Sequence, residues 1–95
     1  MDRAAFDASL AGERPPVALK PPLEALWWSA KGDWKKGHKI VQRHEDDSNC
    51  AWVHAFLHRV EGDLDNARYW YGQSGREAGT FPHDAEREAI IAALL

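Results

Sequence analysis

Hydrophobic residues recur along this chain at the spacing i, i+3, i+4 and i+7, which is typical of helices that bury one face. The clearest run begins at Leu23 and ends at Gly32, and the next follows Asp33, whose carboxylate suits the cap of a helix N-terminus. Over the whole chain the pattern predicts helices at approximately 2–11, 23–31, 34–44, 50–61, 64–71 and 83–95. We therefore predict an all-α fold.

A short motif occurs twice and indicates a repeated helical hairpin. Residues 31–34, Lys-Gly-Asp-Trp, recur as residues 61–64, Glu-Gly-Asp-Leu, at an offset of 30 positions, which is typical of helical-repeat proteins. Each copy has a small residue seven positions before its glycine and another five positions after it. These residues are Ala25 and Gly37 in the first copy and Ala55 and Ala67 in the second. Small side chains at these positions allow two crossing helices to approach each other.

The order helix, Gly-Asp turn, helix, present twice and followed by a closing helix, resembles the tetratricopeptide repeat over residues 21–80. Tyr71 stands where that repeat has an aromatic side chain, four positions after the second small residue. The resemblance implies two hairpins, a C-terminal closing helix and a groove that binds extended peptides. The offset is 30 rather than about 34 residues, and His54 and His58 replace a Leu and a Tyr of the repeat. Residues 51–71 also resemble a small uncharacterised protein family, from which no activity transfers.

The first 22 residues are predicted to form an N-terminal helix and a proline-rich arm, apart from a helical domain at 23–95. Four prolines between positions 15 and 22 oppose a helix and favour an extended polyproline conformation. We expect Val17 and Leu19 to hold this arm against the body, with a mobile leader as the alternative.

Composition and charge argue against several classes of function. The net charge is −3, and the lysines at 31–39 are matched by acidic residues at 45–47, so no basic surface indicates nucleic-acid binding. No apolar run approaches the length of a membrane span, and no secretion-signal pattern is present at the N-terminus. Because Cys50 is the single cysteine, no internal disulfide can form. We expect a cytoplasmic protein without a nucleic-acid or membrane partner.

One predicted helix carries three residues of metal-binding type. Cys50, His54 and His58 occupy positions i, i+4 and i+8, and two histidines four residues apart can hold one ion. Cys50 cannot join both, because eight residues of helix span about 12 Å. His38 and Asp63 are the candidates for further ligands of a divalent metal such as zinc. Alternatively, both imidazoles are structural, with their polar atoms hydrogen-bonded in the core, or they line a small-molecule or peptide pocket.

A second face of the same helix carries Trp52, Phe56 and Arg59, and aromatic residues and arginine are enriched among interface hot spots. By resemblance to the tetratricopeptide repeat, this face lines a peptide-binding groove. Arg68 and Tyr69 of the following helix are predicted to point outward. The alternative is that Trp52 and Phe56 belong to the core or are covered by the proline-rich arm.

These features predict a non-enzymatic interaction module, in which Arg59 pairs with an acidic group of a peptide or protein partner and the rings hold an apolar side chain. Two hairpins form only a short groove, so self-association into a homo-oligomer is a further expectation. The competing prediction is a small metal-dependent enzyme or sensor built on His54 and His58. No nucleophile elbow, phosphate-binding loop or dinucleotide fingerprint is present to support a common enzyme class.

Overall fold

The computed structural model describes all 95 residues and contains six α-helices and no strand, which confirms the all-α prediction. The helices are α1 (Arg3–Ser9), α2 (Pro21–Ala30), α3 (Trp34–Gln42), α4 (Ser48–Glu61), α5 (Leu64–Ser74) and α6 (His83–Leu94). The pairs α2–α3 and α4–α5 form two hairpins, and α6 packs on α2 and α4. None of the helices combines the length and the apolar character that crossing a membrane requires.

Both hairpins turn at the repeated Gly-Asp motif. Gly32 and Gly62 have φ values of +84° and +88°, a left-handed conformation that glycine adopts without steric cost. The carboxylates of Asp33 and Asp63 accept hydrogen bonds from backbone N–H groups in the first turns of α3 and α5. The turns and caps therefore lie where the pattern predicted them. That the two hairpins are copies of one repeat stays a prediction.

The small residues of the motif lie where neighbouring helices touch. A Cβ atom added at Gly37 would lie 2.8 Å from the carbonyl oxygen of Ala25, so α2 and α3 approach as closely as their backbones allow. In the second hairpin, Ala55 and Ala67 are buried together with Tyr71. The predicted role of these residues in helix approach agrees with the structure.

The N-terminal segment contributes to the core more directly than expected. Phe6 of α1 is fully buried, and the indole N–H of Trp27 in α2 donates to the Ser9 hydroxyl. Leu19 packs against the core, but Val17 is fully exposed, so the expectation that Val17 anchors the arm is wrong. Helix α2 begins at Pro21 rather than at residue 23, since proline is tolerated in the first turn, where N–H groups have no intrahelical partner.

We expect the substitution Gly37→Ala to lower the free energy of unfolding by roughly 1–3 kcal/mol, because its methyl group would overlap the Ala25 carbonyl. Gly72, inside α5, is the matched control, since a Cβ there meets no atom within 4 Å. Gly72→Ala should stabilise the protein by about 0.5–1 kcal/mol through helix propensity alone. Urea unfolding followed by circular dichroism measures both effects. Equal stabilisation by the two substitutions would contradict the close helix approach.

Candidate metal centre

Three histidines from two helices converge between the hairpins. His38 lies on α3, and His54 and His58 lie on successive turns of α4. One ring nitrogen of each lies within 4.8 Å of those of the other two, and the Nε2 atoms of His38 and His54 are 3.1 Å apart. Two nitrogens bound to one tetrahedral zinc ion at about 2.0–2.1 Å lie roughly 3.3–3.4 Å apart. Small side-chain shifts would therefore bring this histidine cluster to ligand geometry.

Two tryptophans hold the rings of the histidine cluster. Trp34 stacks on His38 with ring centroids 4.6 Å apart, and Trp70 stacks on His54 at 4.0 Å. The Trp34 indole N–H also donates to the Leu57 carbonyl oxygen, which ties that ring to α4. Stacking and burial restrict the rotamers of the histidines, which is what a preorganised ligand set requires.

Glu61 contacts the third histidine of the cluster. Its Oε2 atom lies 2.6 Å from Nδ1 of His58, a distance typical of a charge-assisted hydrogen bond. This bond engages Nδ1 and leaves Nε2 as the other ring nitrogen of His58. Glu61 was not among the residues predicted from the sequence, although its position three residues after His58 on one helix places both on the same face.

The environment keeps two of the imidazoles neutral. Burial, followed by the neighbouring charges of His38 and His58, lowers the pKa of His54 to about 3. Burial, followed by the charge of His58, also lowers the pKa of His38. His54 is only 3% exposed, and its Nδ1 is the one buried side-chain nitrogen or oxygen in the chain that lacks a hydrogen-bond partner. Neutral imidazoles carry the free lone pairs that a metal ion needs.

The other predicted ligands do not join the histidine cluster. Asp63 lies instead with His58 and Glu61 in a second group of possible ligands, and its carboxylate caps α5. Cys50 is fully buried, and burial, followed by the charge of Asp47, raises the pKa of its thiol to about 12. Thiolate is the reactive and metal-binding form, and Cys50 is not among the groups that converge with the histidines.

The predicted peptide-binding face is occupied by the protein's own C-terminal region. Phe56 is fully buried in the core, so its assignment as a groove residue is wrong: α4 is enclosed on that side. Trp52 lies beneath the Arg76 guanidinium, 4.2 Å from the ring centroid. Arg59 donates to the Phe81 carbonyl oxygen and to Glu86 of α6. Trp52 is therefore covered by Arg76 and not by the proline-rich arm.

A buried polar network attaches this C-terminal region. Glu86 is 4% exposed and accepts hydrogen bonds from Arg59, at 2.6 Å, and from the Tyr71 hydroxyl, at 2.5 Å. Burial and the bond to Glu86 raise the pKa of Tyr71. By contrast, Arg68 and Tyr69 of α5 are exposed, as predicted. Arg59 thus has an internal partner, and Arg68 and Tyr69 are the accessible members of the predicted binding set.

The chain matches no family model, no curated protein and no solved structure at a significant level. The resemblances to the tetratricopeptide repeat and to a small family over residues 51–71 therefore stay predictions, and function has to be argued from the site. The three cavities of the fold, of about 220, 200 and 310 Å³, are not lined by any residue of the histidine cluster.

Arg59→Ala is expected to destabilise the protein by roughly 3–5 kcal/mol, because it leaves the buried Glu86 carboxylate without its charge partner. Arg68→Ala is the matched control, since its ion pair with Asp65 is exposed and should contribute less than about 1 kcal/mol. Chemical unfolding of the two variants tests the comparison. Similar small losses for both would show that the Arg59–Glu86 pair contributes little to the stability of the fold.

The stability of the metal-free protein should fall as the pH is lowered below about 6.5. In that range the unfolded chain protonates His54 while the folded protein, with a pKa of about 3, does not, so the unfolded state binds more protons. The expected slope is about 1.4 kcal/mol per pH unit, reinforced by the lowered pKa of His38. The charges facing His54 are those of His38 and His58, with Glu61 behind His58.

Unfolding free energies measured in the presence of a chelator, between about pH 7 and pH 5, give this slope before most carboxylates titrate. His54→Leu should reduce the slope by about 1.4 kcal/mol per pH unit, which is the contribution of one proton. His83→Gln, at an exposed position, is the control and should leave the slope unchanged. An unaltered slope in His54→Leu would contradict the lowered pKa.

Proposed function

We propose that this protein binds a divalent transition-metal ion through His38, His54 and His58 and acts as a metal-responsive domain. The observation that carries the proposal is the convergence of three imidazoles, each with a ring nitrogen available, at the contact of α3 and α4. The 3.1 Å between the Nε2 atoms of His38 and His54 supports it, because two nitrogens on one tetrahedral zinc ion lie roughly 3.3–3.4 Å apart.

The ligand chemistry indicates the class of ion. Imidazole nitrogen suits zinc, copper, nickel and related ions, whereas magnesium and calcium prefer oxygen ligands. Three histidines occupy three of the four positions of a tetrahedral zinc ion, and a water molecule can occupy the fourth. The lowered pKa values of His38 and His54 mean that few protons have to be displaced at neutral pH.

A responsive role agrees better with this geometry than an enzymatic one, because no residue of the histidine cluster lines any of the three cavities. The ligands come from both hairpins, His38 from the first and the other two from the second. A bound ion would link the hairpins at this contact. Any ion that binds the folded chain alone stabilises it by mass action, by about 2.7 kcal/mol at a free concentration of 100 Kd.

The interaction-module prediction has less support. Phe56 is in the core and Arg59 is paired with Glu86, so two of its three central residues are engaged. What supports it is an exposed surface on α5, where Leu64 and Tyr69 are 58% and 57% exposed. A peptide or protein partner and a homo-oligomer stay predictions for that surface.

Titration of untagged, metal-stripped protein with Zn²⁺ and Co²⁺ tests the proposal. We expect one ion per chain, a visible Co²⁺ absorption spectrum typical of tetrahedral nitrogen ligands, and an increase in thermal stability. Mg²⁺ should produce none of these effects. Failure of the wild-type protein to bind either transition-metal ion would overturn the proposal.

Single variants identify the ligands. His38→Gln, at a partly exposed position, and His54→Gln should each abolish stoichiometric binding, while His44→Gln and His83→Gln, both exposed, should bind as the wild type does. Circular dichroism of each metal-free variant shows whether it is folded. Unchanged binding by folded His38→Gln would exclude the three-histidine site.

A further inference from the structure

We propose that Glu61 is the positioning residue of the metal site, whose carboxylate holds the proton on Nδ1 of His58 and thereby presents Nε2 to the ion. This inference rests on the metal-binding function proposed above. It goes further by assigning a role to a residue outside the ligand set and by stating which nitrogen of His58 binds the metal.

The contact between Glu61 and His58 is a hydrogen bond and not a shared ligand position. Oε2 and Nδ1 are 2.6 Å apart, which is shorter than the roughly 3.3–3.4 Å that separates two donor atoms on one tetrahedral zinc ion. A carboxylate that accepts an N–H from a metal-bound histidine is a common outer partner in metalloproteins. Since one ring nitrogen is committed to this bond, only Nε2 is left for the ion.

Burial of the histidine makes this bond effective. The His58 side chain is 8% exposed, and Trp34 lies edge-on beside its ring, with centroids 6.1 Å apart. Few other groups can therefore set its tautomer. The Glu61 side chain is 39% exposed, so it contacts the buried ring from the solvent side and keeps part of its hydration.

The position of Glu61 in the helix is not explained by helix stability. It is the last residue of α4, where a carboxylate faces the negative end of the helix dipole and is disfavoured. Gly62 follows with a left-handed backbone, so the chain turns directly after Glu61. The bond to His58 is the one hydrogen bond of this side chain, and it offsets the unfavourable location.

The carboxylate of Glu61 would add a negative charge close to the bound ion. Histidine binds a metal as the neutral imidazole, so a divalent ion among the three histidines would keep an excess of positive charge. The Glu61 carboxylate places a negative charge one imidazole ring away and increases the basicity of Nε2. Loss of an outer-sphere partner of this kind typically weakens metal affinity by about 10- to 100-fold.

The test compares Co²⁺ affinities of the wild type, Glu61→Ala and Glu61→Gln. We expect Glu61→Ala to weaken binding by about 10- to 100-fold. Glu61→Gln should have an intermediate affinity, because its side-chain carbonyl still accepts the Nδ1 proton while the charge is lost. The control is Glu13→Gln, which makes the same charge change at an exposed position without an ion pair and should bind as the wild type does.

A second measurement reports the positioning role without any metal. Long-range ¹H–¹⁵N spectra of the metal-free wild type should show His58 in the Nδ1–H tautomer, and Glu61→Ala should populate the Nε2–H form. A purely structural Glu61 would change the thermal stability and leave the tautomer and the Co²⁺ spectrum unchanged.

The possible failures are distinguishable. If the wild type binds Co²⁺ and folded Glu61→Ala binds it within twofold as tightly, the role of Glu61 is wrong and the three-histidine site stands. If the wild-type His58 carries its proton on Nε2, the assignment of the ligand atom is wrong. If the wild type binds no ion, the proposed function itself is overturned.

Discussion

Almost every side of α4 is buried, and the arrangement of the other helices follows from the need to cover it. Eight of its 14 residues are buried, and they lie on more than one face. A helix of this kind has to be enclosed by its neighbours. Helices α2, α3, α5 and α6 all contact α4, and the burial of Ile90 and Ile91 shows that α6 belongs to the same core.

The burial of α4 also determines which groups surround its polar side chains. Its two histidines lie inside the packed region and contact His38, Trp70 and Glu61. Unpartnered polar atoms are costly there, and Nδ1 of His54 is the one that has no hydrogen-bond partner. On another face, Arg59 pairs with Glu86. One face of the helix thereby becomes a cluster of imidazoles, and another becomes an attachment point for the C-terminal helix.

The hairpin geometry connects the fold to the candidate metal site. Gly37 allows α3 to pack closely on α2, and His38, the next residue, reaches across to α4. The contact of His38 with His54 joins residues that are 16 positions apart in the chain. Metal binding at this point would thus act directly on the packing of one hairpin against the other.

Local features of this protein were determined by the sequence alone, because they depend on residues a few positions apart. Helical periodicity, the left-handed glycines and the aspartate caps are of this kind, and so is the placement of His54 and His58 on one side of a helix. Tertiary structure decided which partners these residues meet. His38 completes the cluster, Phe6 enters the core, and Glu86 neutralises Arg59 from 27 positions away, because such contacts depend on how whole helices pack and not on local spacing.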